Sequence, residues 1–289
     1  MPYVGRFAPS PTGDLHLGSL VAALGSYLDA RSHGGHWLLR MEDLDTARVL
    51  PGCAARMLRT LESFGLHWDG AVTYQSARTG HYAQALERLN AAGLTFECGC
   101  SRRERANQGG YPGTCRSRAP GAGPTALRFR VDDARTVRFT DRIQGECGFA
   151  LRERGDVIVR RRDHAFAYQL AVVVDDALQG ISDVVRGADL LDSTAWQIAL
   201  QEALGLPRPR YAHLPLVVEP DGAKLAKSRR SIPLDPGAAA PLLYEALTLL
   251  KQDPPATLKS EPVDRMLEWA CGHWELDRVR GLREVVAPG

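Results

Sequence analysis

Apolar residues along this chain fall into short continuous runs separated by longer stretches with helical spacing. Tyr3-Val-Gly-Arg-Phe7 reads as a short buried strand. A loop with Pro9, Pro11 and Gly13 follows. Leu15, Leu17, Leu20, Val21, Leu24, Tyr27 and Leu28 then recur on one helical face. Asp14 is placed to cap this helix, and Gly34-Gly35 to stop it. The run His36-Trp-Leu-Leu-Arg-Met41 is strand-like again and ends in Glu42-Asp43. Strand, glycine-bearing loop, helix and strand make a βαβ unit, the building block of parallel sheets.

Residues 51–66 and 79–93 read as amphipathic helices ending at Gly65 and Gly93. Residues 97–124 differ in kind: they are rich in Gly, Arg, Cys and Pro, poor in aliphatics, and read as a loop-rich insertion. Alternation returns over residues 126–162, with strand candidates at 127–131 and 156–159. The run from Tyr168 to Leu178 is apolar on every side, so periodicity does not separate helix from strand there. Residues 181–186 read as a strand ending at Arg186-Gly187, 193–204 as a helix and 211–218 as a strand. Leucines at 242, 243, 247 and 250, then Met266, Leu267, Trp269 and Ala270, give the last segment helical spacing. The expected organisation is the first half of an α/β catalytic core over 1–96, an insertion over 97–124, the rest of the core over 125–231 and a small helical region over 232–289.

Composition changes this picture little. The chain has 289 residues, 44% hydrophobic and 24% charged, as ordinary soluble enzymes do. No run of about 18 apolar residues suggests a membrane span, and no basic-then-apolar leader opens the chain. A cytoplasmic, monomeric protein without membrane contact is expected. The net charge of +2 is too small for a general nucleic-acid coat. Two local arginine clusters, at 102, 103, 105, 116 and 118 and at 152, 154, 160, 161 and 162, could neutralise RNA phosphates; each is equally a solvated arginine-rich face. Among six cysteines, Cys98, Cys100 and Cys115 cluster, which suggests a metal before a disulfide. Cys53, Cys147 and Cys271 read as packing residues.

Three constellations carry chemistry. The run Phe7-Ala-Pro-Ser-Pro-Thr-Gly-Asp-Leu-His-Leu-Gly-Ser19 lies where a strand gives way to a helix. Helix N-termini bind anions through free N–H groups and the helix dipole. Gly13 and Gly18 allow close approach, and the His16 imidazole could donate to a phosphate. A capped helix with an incidental histidine would look the same from a lone Gly-His pair; the long run argues otherwise. Lys224-Leu-Ala-Lys-Ser228 supplies a basic loop, weak alone. Three thiolates near Cys98 can build most of a tetrahedral zinc site, but a fourth ligand is needed. No histidine lies between residues 82 and 163.

The run PSPTG-x-LHLG resembles the HIGH signature of class I aminoacyl-tRNA synthetases in its glutamyl/glutaminyl form, and Lys224–Ser228 resembles the KMSKS loop, with Ala226 in place of its first serine. The resemblance implies a doubly wound parallel Rossmann-type sheet with a zinc-binding insertion. It implies ATP binding by His16, Gly18, Lys224, Lys227 and Ser228, with Mg²⁺ accompanying ATP, and it makes His16 and Lys227 the catalytic pair. Matching positions in the similar enzymes that hold glutamate are Arg6, Phe7, Ala8, Pro9, Ser10, Glu42, Tyr168 and Arg186. The chemistry agrees: an acidic residue suits the ammonium, and arginines beside a phenol suit a carboxylate. Structural ion pairs at strand ends are the competing reading. Shortened relatives, the glutamyl-queuosine tRNA(Asp) synthetases, carry a Cys-x-Cys…Tyr-x-x-x-Cys zinc pattern, which implies Cys98, Cys100, Tyr111 and Cys115 as ligands. In that family glutamyl-adenylate delivers glutamate to queuosine in the anticodon of tRNA(Asp). About 60 residues follow Ser228, too few for the large anticodon-binding domain of a full glutamyl-tRNA synthetase. The rival expectations are a truncated synthetase charging a tRNA 3′ end and a non-catalytic RNA-binding paralogue.

Overall fold

The structure is a computed structural model and describes residues 2–100, 111, 113–118, 121, 123–219 and 232–287. The chain opens with β1 (Val4–Phe7), α1 (Leu17–Ser32), β2 (His36–Met41), α2 (Cys53–Ser63), β3 (Thr73–Tyr74), α3 (Thr79–Ala91) and β4 (Thr95–Cys98). Then come β5 (Ala126–Phe129), β6 (Thr136–Asp141), β7 (Gly145–Ala150), the single turn α4 (Leu151–Arg154) and β8 (Val157–Arg160). The second half holds α5 (Tyr168–Leu178), β9 (Asp183–Gly187), α6 (Thr194–Ala203), β10 (Arg210–Leu214), β11 (Leu216–Val218), α7 (Ala239–Leu249), α8 (Val263–His273) and β12 (Glu284–Val286).

Strands β1, β2 and β3 pair in parallel, as do β9, β10 and β6, with β7 antiparallel on the outer side of β6. The two ladders meet along β1 and β9. Ser182 N–H donates to Val4 O at 3.0 Å, and Val4 N–H donates to Ser182 Oγ at 2.8 Å. The spatial order is therefore 3-2-1-9-10-6-7, and the order reverses at the β1/β9 seam. Helices cover both faces. One core gathers α1, α2, α7 and α8; the other gathers α3, α5 and α6. This is the doubly wound α/β arrangement, in which ligands sit at the carboxyl ends of the strands beside the reversal. Strand β2 shows how the faces are separated. Trp37, Leu39 and Met41 enter the first core, while Leu38 packs on the second and Arg40 points to the same side.

The ambiguous run is helix α5. It is apolar on every side because it is wedged between the sheet, α3 and α6. The strand expected over 211–218 breaks at Pro215: β10 pairs with β9, and β11 leaves to pair in parallel with β12. Strands β4, β5 and β8 form a separate antiparallel sheet, and β4 runs into the segment read as loop. Helices α7 and α8 pack on α1 within the first core rather than around a core of their own. The first helix is not capped by Asp14, which instead bonds Arg56 at 2.7 Å; His16 is the N-cap. None of the described helices is long and apolar enough to cross a membrane. No cysteine is disulfide-bonded, and Cys53, Cys147 and Cys271 pack against the two cores.

Candidate active site

Two adjoining features lie at the carboxyl end of β1. The first is an open cavity of about 400 Å³ under the start of α1, lined by Pro9, Ser10, His16, Gly18, Gly187 and Leu216 among others. The N-terminal N–H groups of α1 are unpaired by the helix itself. His16 Nδ1 accepts from Ser19 N–H at 3.3 Å. Its proton therefore sits on Nε2, and burial holds the ring below its usual pKa, so His16 is a neutral donor. A Cβ at Gly18 would come within 3.1 Å of the His16 ring, so a larger residue there would require the ring to shift by a few tenths of an ångström.

The second feature is a buried polar cluster at the β1/β9 seam. Arg6 on β1 is 3% exposed, and its Nε pairs with Asp176 Oδ1 of α5 at 3.3 Å. Arg40 at the end of β2 reaches the same oxygen at 2.8 Å. Burial alone would raise the Asp176 carboxyl, but Arg6 and Arg40 outweigh it and hold it below the usual range. Glu42 follows β2 directly. Its N–H donates to Pro9 O at 2.9 Å, which ties the β1–α1 loop to the end of β2. Its carboxylate lies 3.8 Å from Arg40. Burial pushes the Glu42 carboxyl up to about 7, although Arg40, Arg6 and Arg186 pull the other way. Arg186 on β9 donates from Nη1 to the Tyr168 hydroxyl at 3.4 Å, and burial raises the Tyr168 phenol against Arg186.

Arg6, Glu42, Tyr168 and Arg186 thus share one electrostatic environment, and Phe7, Ala8, Pro9 and Ser10 run from it to the cavity. Lys224, Lys227 and Ser228 lie outside the described residues. Their segment leaves from β11, whose Leu216 and Val217 line the cavity, and Leu234 beyond it donates its N–H to Leu15 O at 2.8 Å. Residues missed from sequence are Arg40, Asp176, and the pair Asp141–His213 behind Arg186. The readable signal was a pair of acids, Asp175-Asp176, inside an otherwise apolar run.

A further cluster lies at the end of β4. The Sγ atoms of Cys98, Cys100 and Cys115 are all within 4.8 Å of one another, close enough to share one metal ion. The Tyr111 hydroxyl accepts from Cys115 N–H at 2.8 Å, so a phenol oxygen borders the thiols. Although burial opposes it, bonds from Arg128, the Cys100 backbone and Tyr111 bring the Cys98 thiol down to about 7. That favours a thiolate, the form that binds metals. Of the arginine clusters, Arg116 is committed to Asp156 and Asp133, Arg154 to Asp192, and Arg161 to Asp45 and Asp163.

Comparison with known proteins gives the family. Residues 3–236 match the family model of class I tRNA synthetases (E and Q), catalytic domain. A glutamyl-Q tRNA(Asp) synthetase of Ectopseudomonas mendocina is 53% identical over 96% of this chain and 95% of its own. Its counterpart in Pseudomonas fluorescens is 54% identical over 94% of this chain and 92% of its own. Among solved structures, a glutamate tRNA ligase of Elizabethkingia meningosepticum, crystallised with its amino acid, superposes with a TM-score of 0.83 at 25% identity. That match covers 100% of this chain and 67% of the other. The chain therefore belongs to the class I glutamyl/glutaminyl tRNA synthetases, among the glutamyl-Q tRNA(Asp) synthetases, and is a ligase of that family.

Proposed function

We propose that the protein uses ATP to convert glutamate to glutamyl-adenylate and transfers the glutamyl group to queuosine in the anticodon of tRNA(Asp). The observation that carries the activation step is the meeting of Arg6, Glu42, Tyr168 and Arg186 beside the cavity that His16 lines. Glutamate has one ammonium and two carboxylates. Ionised Glu42 suits the ammonium, and Arg6 and Arg186 with the Tyr168 hydroxyl suit the side-chain carboxylate. The α-carboxylate is already ionised at neutral pH and needs no general base. It attacks the α-phosphorus of ATP, and pyrophosphate leaves. The task of the chain is positioning and charge stabilisation. His16 Nε2–H and the N–H groups around Gly18 would support the phosphates. Lys227 and Lys224, with Ser228, would neutralise the leaving pyrophosphate, and Mg²⁺ would arrive with ATP.

The transfer step draws its support from the names of the relatives over nearly the whole chain. The donor set at β4 fits a structural zinc, with Cys98, Cys100, Cys115 and Tyr111 holding it; three thiols and a phenol offer the four positions a closed site needs. Bound there, the ion would tie Tyr111 and Cys115 to the end of β4 and take no part in activation.

Glutamate-dependent exchange of labelled pyrophosphate into ATP, measured without tRNA, tests the activation step. Exchange with glutamate and none with glutamine is expected. No exchange with glutamate, with or without tRNA, would refute it.

A further inference from the structure

Behind Arg186 a chain of buried side chains crosses three neighbouring strands. Asp141 ends β6, His213 lies on β10 in register with Arg186, and Arg186 lies on β9 at the seam. Arg186 Nε donates to His213 Nε2 at 3.0 Å, and Nη2 donates to Thr194 Oγ1 at 2.9 Å and to Leu190 O at 3.4 Å. The guanidinium has five N–H groups. The Nε and Nη2 edge is spent on the protein, and Nη1 is the side that reaches Tyr168.

His213 receives Arg186 on Nε2, so that atom must be bare. The other ring nitrogen, Nδ1, lies 2.6 Å from Asp141 Oδ2. The ring is fully buried, and burial first, with Arg186 and Arg6, brings its pKa down to about 4 in spite of Asp141. It is therefore neutral, with its proton on Nδ1. Asp141 is fixed in turn. Its Oδ1 accepts from the N–H groups of Ile143, Gln144 and His213 at 3.0, 2.9 and 3.1 Å. Buried polar chains of this kind are weak devices for stability, and apolar residues would pack the same space at less cost.

We propose that Asp141 and His213 are positioning residues for glutamate recognition: Asp141 imposes the Nδ1–H tautomer on His213, and the bare Nε2 holds Arg186 with its Nη1 edge turned to the side-chain carboxylate of the substrate. The proposal rests on the glutamate reading above. It makes an unusual demand of Asp141→Asn. Three backbone N–H groups keep an oxygen at the Oδ1 place, so the new amide nitrogen must face His213 Nδ1. The ring then carries its proton on Nε2, against the Arg186 Nε–H.

The test is glutamate-dependent pyrophosphate exchange by the full chain. In Asp141→Asn the KM for glutamate should rise by about 10- to 100-fold, the size of a lost hydrogen bond to a charged group, with kcat at saturating glutamate and KM for ATP little changed. His213→Gln offers an oxygen at the Nε2 place that does not depend on a tautomer. Added to Asp141→Asn, it should restore the glutamate KM while lowering thermal stability further. His213→Leu should raise the glutamate KM and His213→Gln alone should not. Nitrogen NMR of the histidines should show His213 protonated on Nδ1 in the wild-type chain and on Nε2 in Asp141→Asn. A wild-type glutamate KM in folded Asp141→Asn, a defect that His213→Gln does not rescue, or a wild-type Nε2–H tautomer would overturn the proposal. Wild-type chain that shows the Nδ1–H tautomer but no glutamate-dependent exchange would instead refute the glutamate reading.

Discussion

Replacing Glu42 by glutamine should improve stability and damage binding at once. The Glu42 side chain is only 11% exposed, and its carboxyl is raised from 4.5 to about 7, chiefly by burial. Between those two values the folded state binds more protons than the unfolded state. Stability therefore falls as pH rises through that window, and the loss is complete above pH 7. A shift of this size corresponds to at most about 3 kcal/mol. Glu42→Gln removes that cost, so at pH 8 the variant should be the more stable by roughly 2–3 kcal/mol, while at pH 4 the two should melt alike. Binding moves the other way. A charge-assisted bond to the ammonium is worth about 1.5–3 kcal/mol, so the KM for glutamate at pH 8 should rise by roughly 10- to 150-fold. In the wild-type chain the same KM should climb as pH falls below 7, because Glu42 must lose its proton to receive the ammonium; in the variant it should stay flat. Thermal melts and pyrophosphate exchange between pH 5.5 and 8.5 give both readings. An unchanged KM at pH 8, or a variant less stable than wild type there, would refute the reasoning.

Other substitutions separate neighbouring roles. His16→Asn keeps an oxygen to accept the Ser19 N–H and should melt near wild type, whereas His16→Ala should lose about 1 kcal/mol with the cap; both should slow exchange by about 100-fold, since each removes the Nε2 donor. Asp176→Asn leaves Arg6 and Arg40 buried without their shared carboxylate, and urea unfolding should register a loss of about 3–5 kcal/mol. Elemental analysis should find one zinc per chain. Cys115→Ser should abolish it and Tyr111→Phe should weaken it, and a metal content untouched by Cys115→Ser would contradict the assignment.

The parts of this molecule legible in the sequence are those set by local pattern. The helical spacing from Leu15 to Leu28 placed α1, and the apolar runs at 3–7 and 36–41 placed β1 and β2, because each element buries one face against a neighbour close in sequence. Arg6, Glu42 and Arg186 stood out because the runs that hold them resemble those of the glutamyl enzymes, and because one acid and two arginines suit the charges of glutamate. Strands β3 and β12 escaped notice, being two and three residues long, too short for any period to show. Partnerships escaped for a different reason. Arg6 and Asp176 are 170 residues apart, and Asp141 and His213 are 72 apart; only the folded sheet makes them neighbours. His16 as a cap was hidden because Asp14 is the better capping residue by type, yet Arg56 claims its carboxylate.

Transfer to queuosine is tested by following the glutamate itself. Labelled glutamate and ATP should be incubated with the full chain and tRNA(Asp) with or without queuosine, and with or without its 3′-terminal adenosine, and the product digested with nuclease. The label should appear only on queuosine-bearing tRNA, survive removal of the 3′ adenosine, and elute with the anticodon nucleoside. Label on the 3′ adenosine, or incorporation indifferent to queuosine, would contradict it.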